Sequence, residues 1–520
     1  MAAADVVPTT EEILAAVDSV QENAIEFLRS IVSIDSTLYK GEGRVQDAIY
    51  DHLVRVLGEE VGVVASSSGA KKRTRKSSHS RFEVTRHPVQ LDDIRDRRGY
   101  SPVDWAYDDD QKFNVVARCR RRLEEEDVDG DNDGESRSGG DAILLVGHVD
   151  VVPASNDDGW SAHPFDPVVR DGRMYGRGAG DMKAGVVAMI YAIVALRDLG
   201  YVPAGGGLTI CTVVEEECTG NGALASLPAT LAVDVAMGEG TRTAVIIPEP
   251  FPWIVTAQLG VIWFTVSVTG RPCHVLSTSS GSNAIEGAYA LYDSLRSLED
   301  RYNEPRGNAH PAYVGIDHPV NFNLGRISGG NWASSVPSRC EFEVRVGFFP
   351  GVSIDDVKRD VETTMRGRAG ELGLGLDIAY RGFHADGAVL LPGYVDGTID
   401  VDDESGDDGS RSLQKDFVET IQRCNRLVSS SSSPSDVGDG AVTVNDSSRE
   451  LPLRPVTCTT DARFYSSLFQ DPSKVVVTCY GPEATNIHGV DESVSLKSFR
   501  DVTATIALFV RDWCGLIKDE

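Results

Sequence analysis

Short, largely apolar runs recur along this chain, each followed by glycine or charge and then by a helix-length segment. AILLVG (142–147), GLTICTVV (207–214) and KVVVTCYG (474–481) are three of them. Between the first two lies GVVAMIYAIVALRDLG, the pattern of a buried helix, and GALASL after the second starts another. A strand with no polar alternation has to be covered on both faces, which calls for a parallel or mixed sheet with helices on either side. Crossovers in such sheets place ligand sites at the carboxyl ends of the strands.

A chain of 520 residues is too long for one compact core, so two domains plus insertions are expected. The middle of the chain has a different rhythm. VIWFTVSVTG (261–270) alternates as a strand, 283–300 reads as a helix, and 320–330 and 339–349 read as strands. A helix over 353–370 and a strand over 376–383 follow. Strand–helix–strand–strand–helix–strand is the ferredoxin-like order, a self-contained α+β unit. The expected organisation is an α/β domain made from 1–258 and 385–520, with 259–384 inserted as that unit. Helices are predicted over 11–33 and 44–58, the first starting at Thr10 ahead of Glu11 and Glu12.

Composition narrows the function classes. Hydrophobic residues at 41% and charged ones at 25% describe an ordinary globular protein. The longest apolar stretch, Ala184 to Leu196, is too short to span a bilayer and predicts a core helix. The N-terminus lacks a basic segment followed by an apolar one, so it does not read as a secretory leader. Nine scattered cysteines, odd in number and never in a CxxC pair, point to reduced thiols and a cytoplasmic setting. The net charge of -29 is partly local, carried by 121–140 and 400–409, and reads as solvated insertions more than as a working acidic surface. Neither nucleic acid nor membrane is an expected partner. KKRTRK, within 66–81, reads either as a mobile basic loop or as an import or anion-binding patch.

Candidate ligand residues stand at the ends of the apolar runs. In GHVDVVP an extended backbone would put His148 and Asp150 on one side, where the carboxylate could fix the tautomer of a ligating histidine. A purely structural His/Asp pair fits the same two residues. In GRGAGDMKAG a single carboxylate, Asp181, stands among glycines before the buried helix. It could bridge two metal ions about 3.5–4 Å apart, or it could cap the helix. Three consecutive glutamates in TVVEEECTGNG repel one another unless cations offset their charge, and one could bind metal while a neighbour handles protons. Glu249 in IIPEP is stiffened by flanking prolines, and His488 in NIHGVDESV follows a strand and a turn. Nitrogen and carboxylate donors without thiolate suit zinc at a site with open positions.

These motifs, with GRPCHV, GG…VP and the order in which they occur, resemble the dizinc aminoacylase/carboxypeptidase metallopeptidase family, of the acetylornithine deacetylase and succinyl-diaminopimelate desuccinylase type. The resemblance runs from about residue 11 to about residue 516. It implies a discontinuous zinc-hydrolase domain with an inserted lid and dimerisation domain, and two zinc ions, for which cobalt or manganese could substitute. Asp181 would bridge them, with His148 and Glu249 on one and Glu217 and His488 on the other. Asp150 would support His148, and Glu239 is a rival to Glu249. Counting back five residues from Gly222 makes Glu217 the ligand and Glu216 the general base, with Glu215 where many members carry Asp. His274 corresponds to a lid histidine that reaches over the site, often from the other subunit of a homodimer. Arg345 matches an arginine that grips a substrate carboxylate, and Ser335 stands where many members have Asn. The implied activity is hydrolysis of an N-acyl amino acid, as in acetylornithine deacetylase. A dipeptidase or carboxypeptidase acting on small peptides is the alternative, and a non-catalytic binding relative is a third reading.

Overall fold

The computed structural model describes residues 7–38, 40–60, 82–107, 111–119, 141–204, 207–236, 241–304, 310–395, 398–399, 408–431, 450–468 and 473–519. The basic run within 66–81, the acidic stretch 121–140, most of 400–409 and Glu239 lie outside the described residues.

Two sheets organise the chain. The strands are β1 (Gly58–Glu60), β2 (Phe82–Pro88), β3 (Phe113–Cys119), β4 (Ala142–His148), β5 (Leu208–Val213), β6 (Thr243–Ile247), β7 (Gly260–Thr269), β8 (Phe322–Gly329), β9 (Arg339–Phe348), β10 (Gly375–Ala385) and β11 (Val475–Cys479). The larger sheet runs β1-β2-β3-β5-β4-β6-β11. Strands β5, β4, β6 and β11 are mutually parallel, whereas β3 is antiparallel to both β2 and β5. The sheet is therefore mixed, and the carboxyl ends of β5, β4 and β6 come out side by side. Every residue of β4, β5 and β6 is buried, the outcome their unbroken apolar runs require.

Helices α1 (Thr10–Val32), α2 (Glu42–Leu57), α3 (Ala184–Asp198) and α4 (Asn221–Ala236) belong to the first part of the chain. Then come α5 (Ala284–Asn303), α6 (Ile354–Leu372), α7 (Asp408–Ser431), α8 (Ala462–Leu468) and α9 (Leu496–Cys514). α3 is apolar on all sides and buried from Ala184 to Leu196, packed between α1 and α9. The span Ala179–Asp198 is long and apolar enough to cross a membrane by length and composition, but it is almost wholly buried inside the protein. α1 begins at Thr10 with Thr9 as its cap, in a reciprocal capping box with Glu12. The helix thus starts at Thr10, as expected from the sequence, and Thr9 supplies the cap.

Residues 260–385 build the second sheet, antiparallel and ordered β8-β9-β7-β10. The elements follow as strand, helix, strand, strand, helix, strand. α5 and α6 pack through Leu291, Leu295, Val357 and Val361 against Phe264 and Phe342, in an apolar cluster separate from that of the larger sheet. β8 lies at the edge, and most of it from Asn323 onward faces solvent. The sequence pattern alone gives no strand signal for β2. FEVTRHP has mixed polarity, ends in proline and adjoins the basic run, so its strand character comes from pairing with β3 along its whole length.

Candidate metal centre

His148 is the last residue of β4, and its ring is 1% exposed. Its Nδ1 lies 3.0 Å from the Asp150 carbonyl oxygen and 3.6 Å from the Asp150 carboxylate. Its Nε2 lies 3.2 Å from Asp181 Oδ1 and 3.9 Å from Glu249 Oε2. Glu249 follows β6 between two prolines, on the neighbouring parallel strand. Gly185, at the start of α3, permits the close approach. A Cβ there would stand 1.9 Å from the Pro248 carbonyl oxygen, so any side chain would push the Glu249 segment away.

Asp181 sits in the glycine-rich turn, and the peptide linking it to Met182 is cis. It does not cap α3, whose preceding residue is Lys183 with no side-chain cap. The turn is held by Glu492, whose Oε1 accepts the N–H groups of Gly178, Gly180 and Asp181 at 3.1, 2.9 and 3.0 Å. Arg177 Nη1 donates to the other Glu492 oxygen at 2.5 Å. Glu492 belongs to the same segment as His488. That histidine has a φ of 60°, and its Nε2 is 3.4 Å from Asp181 Oδ2 and 3.0 Å from Glu217 Oε1.

The three glutamates separate sharply. Glu215 takes a positive φ of 66° and turns away from the metal-ligand groups. Its carboxylate accepts from Trp105 Nε1 at 3.1 Å, Thr219 Oγ1 at 2.8 Å and the Tyr107 hydroxyl, and pairs with Lys112 at 2.8 Å. Of the next two, Glu217 places its Oε1 3.0 Å from His488 Nε2, and Glu216 is buried. The N–H groups of Glu216 and Glu217 donate to the two oxygens of Asp150, at 3.1 and 3.0 Å. The Asp150 carboxylate thus anchors the glutamate turn as well as flanking His148, a connection the sequence did not reveal.

Two donor groups result: His148, Asp181 and Glu249 form one, and Asp181, Glu217 and His488 the other. Within each group the ligand atoms all lie within 4.8 Å of one another. A tetrahedron with metal–ligand bonds of about 2.0 Å has edges of about 3.3 Å. Three of the four nitrogen–oxygen spacings, at 3.2, 3.4 and 3.0 Å, fall near that edge, and the His148–Glu249 spacing of 3.9 Å is somewhat wider. Each group leaves a coordination position open, and Asp181 is common to both through its two oxygens. These residues fit a pair of divalent cations. His488 has a side-chain exposure of 50% against 1% for His148, so the second group is the one open to solvent.

The electrostatics describe a site built for cations. Burial pushes Glu216 well above the usual carboxylate range, and Asp461, Glu249 and Glu217 add to the effect. Burial likewise raises Glu249 and Glu217. For Asp181, burial acts upward, but hydrogen bonds from His148 and His488 outweigh it and hold the carboxyl low. Glu217 raises His488 to about 11. In the protein alone the histidinium groups compensate this carboxylate cluster, a role divalent ions take over when bound.

The other expected site residues are not members of these groups. His274 is exposed and caps a short 3-10 turn, accepting the Leu276 N–H at 3.2 Å, and it faces Ser335 across an isolated β-bridge. Both lie on the second sheet's unit, within residues 260–385. Arg345 is half-buried on β9, with Nη1 3.4 Å from the Asn321 carbonyl oxygen. Burial pushes the Cys458 thiol up, Glu249 adds to the effect and Arg345 opposes it. Cys458, Asp461 and Arg463 come from TCTTDARF, which carries no motif that marks a site. An acid and a base two residues apart, Asp461 and Arg463, were the available signal.

A covered mixed sheet carrying two histidine–carboxylate groups that share one aspartate defines a metal-dependent hydrolase. More specifically, the chain belongs to Peptidase family M20/M25/M40, whose profile matches residues 144–512. It is thus an enzyme of the metallopeptidase and amidohydrolase class, acting on carbon–nitrogen bonds of amides. It is 23% identical over 393 residues to N-formyl-4-amino-5-aminomethyl-2-methylpyrimidine deformylase of Bacillus subtilis strain 168, covering 73% of this chain and 81% of that protein. It is 32% identical over 223 residues to acetylornithine deacetylase of Proteus mirabilis strain HI4320, covering 42% of this chain and 53% of the relative. The match therefore spans about half the length of that deacetylase. The fold is similar to that of the dipeptidase Dug1p from Saccharomyces cerevisiae, with a TM-score of 0.64 and 13% identity over 97% of this chain and 98% of that one.

Proposed function

We propose that this protein hydrolyses the amide bond of an N-acyl amino acid at a pair of zinc ions. The observation that carries the reading is the sharing of Asp181 between the His148–Glu249 and Glu217–His488 groups. Bound at these groups, the ions would lower the pKa of a water and polarise the substrate carbonyl. Glu216, buried beside them and bonded to no metal in this assignment, takes a proton from the water and returns it to the departing amine. Asp150 orients His148 and fixes the backbone of the glutamate pair. Arg345 holds the substrate carboxylate, a task suited to a planar guanidinium in a half-buried position. His274 donates to the oxyanion of the tetrahedral intermediate.

His274 is exposed on the second sheet's unit and is not a member of either donor group, which supports a homodimer in which it serves a partner's site. The exposed edge of β8 and the exposure of Leu276 (88%), Trp332 (72%) and Tyr289 (59%) on the same unit support that assembly. All nine cysteines are free, which supports a reducing, cytoplasmic setting.

The test is a panel of N-acetyl and N-succinyl amino acids and small dipeptides, assayed after chelation and metal restoration. Zinc-dependent turnover of N-acyl amino acids is expected, and Glu216→Gln should abolish it with metal content intact. Preferential turnover of dipeptides would replace this reading with a peptidase, and loss of metal in Glu216→Gln would shift the assignment within the glutamate run.

A further inference from the structure

One carbonyl oxygen behind the glutamate pair collects bonds from distant parts of the chain. The turn carrying Glu216 and Glu217 closes on the Glu215 carbonyl, which accepts the N–H groups of Thr219 at 3.0 Å and Gly220 at 2.7 Å. The Thr219 carbonyl, at the far end of that turn, accepts Ser101 Oγ at 2.8 Å and Arg463 Nη2 at 3.1 Å. Ser101 is fully buried and Arg463 is 5% exposed. The backbone of Ser101 is clasped by the Asn221 side chain, its N–H donating to Oδ1 at 3.1 Å and its carbonyl accepting from Nδ2 at 2.9 Å. Arg463 is fixed in turn by the Thr460 carbonyl at 2.8 Å and by the Phe464 ring, whose centroid is 4.2 Å from its guanidinium carbon. A Cβ at Gly220 would meet Arg463 Nη2 at 2.1 Å, so the turn is seated directly on the guanidinium.

The Ser101 hydroxyl has a second bond. It accepts the N–H of His384 at 3.1 Å, near the end of β10, where the chain leaves the second sheet. One buried hydroxyl therefore links the last strand of the second sheet to the turn that presents the glutamates.

We propose that Ser101 and Arg463 are positioning residues: through the Thr219 carbonyl they set where Glu216 and Glu217 stand, and Ser101 makes that placement depend on the second unit. The proposal rests on Glu217 being a metal ligand and Glu216 the base. Two adjacent buried carboxylates repel each other, so their turn keeps its shape only if both ends are held. Asp150 holds the near end through the Glu216 and Glu217 amides, and Ser101 with Arg463 holds the far end.

The test uses the full chain with Ser101→Ala, Arg463→Met and Arg463→Lys. Visible absorption of the cobalt-loaded protein reads the two metal affinities separately, and circular dichroism confirms folding. Removal of a group that orients a ligand typically costs 10–100-fold, so Ser101→Ala and Arg463→Met should weaken the second cobalt ion about tenfold or more. The first ion should stay within about twofold, because its ligands His148 and Glu249 are on other strands. kcat should fall about tenfold with KM within about threefold, and Arg463→Lys, which keeps a donor for the carbonyl, should recover part of both losses. Unaltered affinities, or equal weakening of both ions, in the folded variants would overturn the positioning roles. The cobalt titration needs no substrate, so it stands whichever amide the protein cleaves. Binding of only one cobalt ion by the wild type would instead refute the ligand assignment beneath the proposal.

Discussion

Replacing Asp150 with asparagine isolates what a single buried carboxylate does for the whole site. Asp150 is 3% exposed, and its two oxygens accept the Glu216 and Glu217 amides at 3.1 and 3.0 Å. Burial acts to raise its pKa, but the hydrogen bond and charge of His148 and the Glu217 amide hold it lowered, so the group is a carboxylate at neutral pH. Asparagine keeps the shape and one acceptor but points an N–H₂ group at the second amide. A hydrogen bond to a charged group contributes about 1.5–3 kcal/mol, and a buried donor left unpaired costs about 1–3 kcal/mol. The second figure already contains the loss of the first bond, so the expected destabilisation is about 2–3 kcal/mol. Urea denaturation of the metal-free protein measures it. Activity should fall by about 10–100-fold in kcat/KM, because the same carboxylate flanks the ring of His148. Asp150→Ala, which leaves both amides unpaired, should cost about twice as much as asparagine. If Asp150→Asn were as stable as wild type within about 0.5 kcal/mol, the carboxylate would not be anchoring the turn.

The remaining predictions address substrate, packing and pH. Arg345→Met should lower kcat/KM for substrates bearing a carboxylate by about 30–100-fold, the equivalent of one charge-assisted pair. The corresponding amides without the carboxylate should change by less than about threefold, and an equal loss on both would remove Arg345 from substrate binding. Gly185→Ala should displace the Pro248 carbonyl, destabilise the fold by about 1–3 kcal/mol and reduce metal occupancy of the His148–Glu249 group. Retention of full metal content would contradict the tight contact. His52 is stacked on Phe27 at 3.6 Å, and burial, then Arg55, lower its pKa from 6.5 to about 4. A depressed histidine contributes stability that is complete above pH 6.5 and is lost as pH falls toward about 4. Between pH 7.5 and 4.5 the wild type should therefore lose about 2 kcal/mol more than His52→Phe in urea melts, and identical pH slopes would refute it.

The local patterns of the sequence determined a good deal about this protein. Unbroken apolar runs dictated strands covered on both faces, and β4, β5 and β6 are buried throughout. Those runs end at His148, at the glutamates and at Glu249, because a parallel sheet leaves its carboxyl edge open to polar groups. The side-by-side order β5-β4-β6 then brings these ends together. That order, like the meeting of Glu217 with His488 across 271 residues, is a fact of tertiary structure alone. Local spacing could not settle which glutamate faces the histidines. The choice follows from the positive φ at Glu215, the cage of Trp105, Tyr107, Thr219 and Lys112 around its carboxylate, and the Asp150 oxygens beneath the next two amides. Ser101 and Arg463 were equally hidden. An ordinary serine and an ordinary arginine acquire a role only when the fold seats one carbonyl oxygen between them, and no periodicity records that contact.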